Sequence, residues 1–134
     1  MRKLLPMLMV PLIASCSTLQ TADSNAVSEV ITADLARADG SWAGVVTISK
    51  RSDGVFLSLA ADAPMAGTFG MHLHSLGKCQ GPDFTSAGGH WNPSMKQHGR
   101  DNPLGAHGGD LPNVVAGPDK KLTLEYKLSD IDLE

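Results

Sequence analysis

Apolar and polar residues alternate with a period of two over several short stretches, which is the pattern of β-strands with one buried face. The alternating stretches are residues 31–35, 42–49, 55–59 and 121–128, and Thr68–His74 adds a further strand. Asp53-Gly54 lies between two of them and predicts a tight hairpin turn. Since no stretch has a helical period over a useful length, we predict an all-β domain built as a sandwich or barrel.

A segment without this alternation separates His74 from Asn113. It contains eight glycines and four prolines. A loop of this length inside a compact domain is usually either functional or disordered. Disorder is the simpler interpretation, and the histidines described below argue for a functional loop.

The first residues of the chain have the pattern of an export signal. Arg2 and Lys3 precede a nearly continuous apolar run, Leu4–Ile13, which is too short to span a membrane, and small residues then lead to Cys16. This order resembles a bacterial lipoprotein signal, in which cleavage leaves the cysteine as the first, lipid-bearing residue. An ordinary cleaved signal with an incidental cysteine is the alternative.

These features divide the chain into three parts. We predict a lipoprotein signal peptide over residues 1–15, a flexible tether of small and polar residues over 16–28, and a folded β-domain over 29–134. The length of 134 residues is enough for one domain with a single core.

Composition limits the partners and the cysteine chemistry. The net charge is −3 and no basic run stands out, which argues against binding to nucleic acid. The chain has two cysteines, Cys16 and Cys79. If Cys16 carries lipid, Cys79 has no partner within the sequence, which is unusual because exported proteins meet an oxidising environment.

All five histidines fall between residues 72 and 107. His72 and His74 are two residues apart on a predicted strand, so their side chains project from the same face. Imidazole is a good ligand for copper, zinc, iron and nickel, and a strand presenting two imidazoles is half of a metal site. Two exposed polar residues on a solvent-facing strand are the alternative.

The other histidines and one aspartate offer a complete set of zinc ligands. His90, His98, His107 and Asp110 supply three nitrogens and one oxygen, as in structural zinc sites without an open position. A loop this rich in glycine buries too little surface to fix itself, and a metal bound at four points would hold it. A zinc hydrolase would need an open position on the metal and a general base, and the closed shell argues against this less favoured function.

Four motifs, in order and at fitting separations, resemble those of copper–zinc superoxide dismutases of the secreted bacterial type. They are Gly70-Met71-His72-Leu73-His74, Ser86-Ala87-Gly88-Gly89-His90-Trp91-Asn92-Pro93, Lys96-Gln97-His98-Gly99 and His107-Gly108-Gly109-Asp110-Leu111-Pro112-Asn113. The resemblance covers roughly residues 29–134. It implies a Greek-key β-barrel of eight strands, of which about six are present here, with a long metal-binding loop.

The resemblance also implies a role for each candidate residue. Copper would bind His72, His74 and His90, zinc would bind His90, His98, His107 and Asp110, and Cys79 would match the loop cysteine that the family joins by a disulfide to a cysteine near the C-terminus. His90, as the bridge between the metals, would also be catalytic, releasing copper and taking up a proton in the reduced half-cycle. The implied reaction converts superoxide to oxygen and hydrogen peroxide.

The family pattern continues beyond the last strand predicted here. It includes a fourth copper histidine, an arginine that attracts superoxide and a second cysteine, and none of these follows Leu128 in the sequence. We therefore expect a C-terminally truncated family member with an incomplete copper site, whose open sheet edges favour a homodimer or strand pairing.

Two functions follow from the sequence. The first is a superoxide dismutase with copper and zinc in the periplasm or cell envelope, attached to the membrane only through its lipid. The second is a non-enzymatic zinc-binding domain of the same fold.

Overall fold

Antiparallel β-strands provide nearly all of the secondary structure in the computed structural model, which describes residues 26–129 and 131. The strands are β1 (Val27–Ala36), β2 (Trp42–Arg51), β3 (Gly54–Asp62), β4 (Gly67–Phe69), β5 (Val114–Ala116) and β6 (Lys121–Leu128). The described part contains a short 3-10 turn at Thr85–Ala87 and no α-helix. Within it, no helix of the length and apolar character needed to cross a membrane occurs. The all-β prediction is confirmed.

The strands form one four-stranded sheet and one pair. The sheet has the order β1-β2-β3-β6, and β4 pairs with β5. The predicted hairpin at Asp53-Gly54 connects β2 to β3, where Arg51 pairs with Gly54. The chain then leaves the sheet through β4 and β5 and returns as β6, which pairs antiparallel with β3.

The core lies on one face of β3. Val55, Leu57 and Leu59 alternate along that face and are buried, and Leu57 has no exposed surface. They pack with Leu111, Val114 and Leu128, while Phe69, Met71 and Leu73 pack against this cluster from the segment that follows β4. The residues that flank His72 and His74 are therefore anchored in the core.

The structure differs from the predicted strands in three places. The predicted strand Thr68–His74 ends at Phe69, and His72 and His74 instead form isolated bridges with Asp110 and His90. The short strand β5 was missed because three residues are too few to show a period. β1 is exposed along nearly its whole length, since in the described residues it pairs only with β2 at the sheet edge.

Of the predicted boundaries, the described residues include only the one between the tether and the β-domain. The strand β1 begins at Val27, two residues inside the segment expected to be a tether. The predicted signal peptide and the lipidated Cys16 lie outside the described residues.

Candidate metal centre

Three segments of the chain carry His72 with His74, His90, and Asp110, and His98 and His107 lie in the loop between the last two. His72 and His74 follow β4, His90 follows the 3-10 turn, and Asp110 precedes the core residue Leu111. The bridges from His72 to Asp110 and from His74 to His90 hold the segments side by side. Residues far apart in sequence thus meet beside the core.

The Nδ1 atoms of three histidines surround one oxygen of Asp110. The distances to Asp110 Oδ1 are 3.0 Å from His90, 3.0 Å from His98 and 3.4 Å from His107. The Nδ1 atoms of His107 and His90 are 3.4 Å apart. The Asp110 side chain is almost completely buried, with 2% of its surface exposed.

These distances agree with the edges of a zinc tetrahedron. Donors about 2.0–2.1 Å from a central ion in tetrahedral geometry lie roughly 3.3 Å from one another. Without an ion, a single carboxylate oxygen would have to accept protons from three imidazoles at once, which exceeds its lone pairs. A divalent cation satisfies all four donors, so these residues fit zinc.

The second oxygen of Asp110 is held by the backbone. Oδ2 accepts hydrogen bonds from the amides of Gly99, at 2.9 Å, and His107, at 3.0 Å. Burial alone would raise the pKa of Asp110, but these amides, together with His90 and His98, outweigh burial and hold the pKa well below its ordinary value of 3.8. Asp110 is therefore an anion throughout the physiological range, with Oδ1 oriented towards the histidines.

His72 and His74 stand on the other side of His90. The rings of His72 and His90 are stacked with their centroids 4.0 Å apart, and the His74 ring meets His90 edge-on at 5.2 Å. Burial lowers the pKa of His72, and the charge that His90 carries when protonated adds to this shift, so neutral His72 is favoured. Since Nδ1 of His90 faces Asp110, its Nε2 remains for a second ion.

His74 has a defined tautomer. Its Nδ1 lies 2.9 Å from the carbonyl oxygen of Gly88. A carbonyl only accepts, so Nδ1 carries the proton and Nε2 keeps its lone pair. A hydrogen bond of this kind fixes the orientation of a metal-ligating histidine.

The two predicted ligand groups meet in one cluster. The ligand atoms of His72, His90, His98 and Asp110 lie within 4.8 Å of one another. His72, assigned from the sequence to the copper side, is therefore close to the zinc-side residues as well. A cleft of about 440 Å³ lined by His72, His98 and Asn102 opens the cluster to solvent.

Cys79 is the candidate cysteine that the structure describes, and it is not part of the cluster. Cys79 is exposed and free.

Arg100 is a residue that the sequence reasoning missed. Its guanidinium donates to the backbone oxygen of Asp110 at 3.2 Å and to the hydroxyl of Tyr126 at 3.0 Å. It connects the aspartate to β6. Its position in the sequence, two residues after His98, does not distinguish it from an arginine that is exposed to solvent in an ordinary loop.

Sequence comparisons identify a family and several similar proteins. The sequence model described as copper/zinc superoxide dismutase (SODC) matches residues 42–134. The superoxide dismutase-like protein YojM of Bacillus subtilis is 37% identical over 102 residues, which is 75% of this chain and 52% of that protein. A copper–zinc superoxide dismutase of Aquifex aeolicus is 42% identical over 83 residues, covering 61% of this chain and 49% of the relative. The chain thus spans about half the length of these curated relatives.

Solved structures resemble the fold. The crystal structure of a superoxide dismutase-like protein from Bacillus subtilis matches with a TM-score of 0.72 and 34% identity, covering 81% of this chain and 72% of the other. The copper/zinc superoxide dismutase from Brucella abortus matches with a TM-score of 0.62 and 26% identity, over 75% and 72% of the two chains.

Proposed function

The chain belongs to the copper/zinc superoxide dismutase family, and we propose that it disproportionates superoxide to oxygen and hydrogen peroxide at a copper–zinc site in the bacterial cell envelope. The observation that carries this proposal is the set of distances around Asp110 Oδ1, which matches the edges of a zinc tetrahedron and has two further histidines beside it.

The zinc ligands in this proposal are His90, His98, His107 and Asp110. The support is their mutual spacing, together with the amide bonds that leave Oδ1 of Asp110 free for the ion. Four protein ligands close the shell, so zinc would order the loop and orient His90 rather than bind substrate.

The copper ligands are His72, His74 and His90. The support is the stacking of His72 on His90, the free Nε2 of His74 and the lowered pKa of His72. Copper, when bound, supplies a one-electron couple that both oxidises and reduces superoxide. The part of this chain is to hold the three imidazoles in place and oriented, and Nε2 of His90 is the atom that would hold a proton in the reduced half-cycle.

The proposed location is supported by the pattern of the first residues of the sequence. We propose that residues 1–15 direct export, that Cys16 carries lipid, and that this lipid is the membrane attachment. The folded domain would then lie in the periplasm or at the cell envelope, joined to its anchor by the residues before β1.

A non-enzymatic zinc-binding domain is the second candidate function. It is favoured by the difference between the two halves of the cluster. In the described residues the zinc side has four converging donors, whereas the copper side has three imidazoles, one of them shared.

A zinc titration tests the metal site. Chelator-treated protein is expected to bind one zinc per chain, and Asp110→Asn is expected to lose most of that affinity because it removes the anionic donor. Asp101→Asn, which changes an exposed carboxylate of the same loop, is the control and should bind as the unmodified protein does. Absence of stoichiometric zinc binding would refute the proposed site.

Dismutase activity separates the two functions. Copper-loaded zinc protein is expected to exceed an equal concentration of free copper in activity, and His90→Ala is expected to remove this excess. Ser94→Ala changes an exposed side chain in the loop that carries His90 and serves as the control. A protein that binds zinc normally but shows no activity above free copper would be the zinc-binding domain.

A further inference from the structure

Three backbone hydrogen bonds form a closed ring between the segments that carry the ligands. The amide of Leu73 donates to the carbonyl of Gly109 at 2.9 Å, the amide of Gly109 donates to the carbonyl of Trp91 at 2.8 Å, and the amide of Trp91 donates to the carbonyl of Leu73 at 2.8 Å. Each residue donates once and accepts once. The ring therefore fixes all three distances between the segments.

Every member of this ring is next to a proposed ligand. Leu73 lies between His72 and His74, Trp91 follows His90, and Gly109 precedes Asp110. A displacement within the ring would consequently move ligands on both the copper side and the zinc side. None of the three bonds requires a side chain or a metal.

Only glycine fits at position 109. A Cβ there would lie 2.4 Å from the carbonyl oxygen of Leu73 and 3.1 Å from the amide nitrogen of Trp91, and both are backbone atoms that cannot rotate away. The neighbouring Gly108 is constrained differently, because a Cβ there would lie 2.4 Å from the side-chain ring of Trp91 and not from backbone atoms. The sequence shows two adjacent glycines but not the difference between their neighbours.

We propose that Gly109 is a positioning residue: through the ring with Leu73 and Trp91 it sets the spacing between the copper-side and zinc-side ligands before any metal binds. This inference rests on the proposed metal site. It goes beyond that site by assigning the ligand geometry to a metal-independent backbone contact between the three segments.

Gly109→Ala is the direct test, with Gly89→Ala as the matched control. Gly89 immediately precedes His90, but a Cβ there meets nothing within 4 Å. We expect Gly109→Ala to lower zinc affinity by about 10–100-fold, the usual effect of losing support around a ligand. The visible spectrum of bound Co(II) and the EPR spectrum of bound Cu(II) should both change. Gly89→Ala should match the unmodified protein in all three measurements.

Amide hydrogen exchange on the unmodified chain tests the ring even if Gly109→Ala does not fold. In chelator-treated protein the amides of Leu73, Trp91 and Gly109 are expected to exchange slowly, within about tenfold of their rates in the zinc-loaded protein. Fast exchange that slows only when zinc is added would overturn the inference.

Failure of the inference and failure of the site are distinguishable. If a folded Gly109→Ala variant binds zinc and Co(II) as the unmodified chain does, the inference alone fails. If the unmodified chain binds neither ion, the proposed site fails, and the exchange rates still decide whether the ring forms.

Discussion

Asp110 combines three tasks in one residue. Its Oδ1 faces the histidines, its Oδ2 accepts from two amides, and its backbone oxygen accepts from Arg100. The types of donor in the sequence indicated the first task, since three imidazoles and one carboxylate suit a zinc shell. The other two depend on where the loop folds back, and no local pattern encodes them.

Arg100 is predicted to support zinc binding through Asp110. Arg100→Met removes the donor to the Asp110 backbone and to the Tyr126 hydroxyl, so the aspartate loses its tie to β6. We expect zinc affinity, measured by competition with a chromophoric chelator, to fall by roughly tenfold. Tyr126→Phe keeps the contact with Asp110 and should cost less.

The control for Arg100 is Lys96→Met, which removes a positive charge from the same loop without removing a bond to Asp110. It should leave zinc affinity unchanged. Removing a positive charge by itself favours binding of a cation. A loss of affinity in Arg100→Met alone would therefore report the two hydrogen bonds, whereas an equal loss in Lys96→Met would show that these bonds are not its cause.

At the scale of elements, the strand β3 shows what the alternation of apolar and polar residues can predict. Its alternation predicted the buried face correctly, because Val55, Leu57 and Leu59 face the core. The alternation also predicted a buried face on the first strand and a strand that continues to His74. Both predictions were wrong, because β1 is exposed and β4 ends at Phe69. Burial of β1 depends on what packs against it, and the bridges of His72 and His74 depend on segments distant in sequence.

Core packing on β3 leads to a stability prediction. Leu57 is fully buried, so Leu57→Ala leaves a cavity and is expected to lower the free energy of unfolding by about 2–5 kcal/mol. Leu104→Ala makes the same chemical change at a side chain that is 64% exposed and should cost less than about 0.5 kcal/mol. Urea unfolding of the two variants measures both values, and equal midpoints would contradict the assigned core.

The turn between β1 and β2 gives a pH-dependent contact. The hydroxyl of Ser41 donates to Asp39 at 2.6 Å and its amide donates at 2.9 Å, which lowers the pKa of Asp39 from 3.8. A lowered carboxyl pKa means that these bonds stabilise the turn above pH 3.8 and are lost as the pH falls through the lowered value.

NMR titration of the Asp39 carboxyl carbon checks this contact. The midpoint is expected below 3.8, and Ser41→Ala, which removes the hydroxyl donor, should move it upwards. Ser28→Ala, at the far end of β1, should leave it in place. A midpoint that does not respond to Ser41→Ala would show that the hydroxyl bond does not form in solution.

For the whole molecule, the sheet and the loop are stabilised by different means. The sheet is stabilised by burial of one face of β3, and the alternation of apolar and polar residues reveals this face in the sequence. The loop from Ser75 to Pro112 has few buried side chains and is held by contacts to Asp110 and by bonds such as those to Leu73 and Trp91. The sequence therefore indicated which residues converge, but their distances depend on loop closure and on no local pattern.

This division predicts where zinc stabilises the protein. Zinc at 100 times its dissociation constant should raise the free energy of unfolding by about 2.7 kcal/mol, which corresponds to a rise in melting temperature of roughly 10 °C. Because the proposed zinc ligands lie in the loop, zinc should slow proteolysis of the loop, while hydrogen exchange in β2 and β3 should change only with global stability. Asp110→Asn should abolish both effects. A rise in melting temperature without loop protection would mean that the ion binds elsewhere.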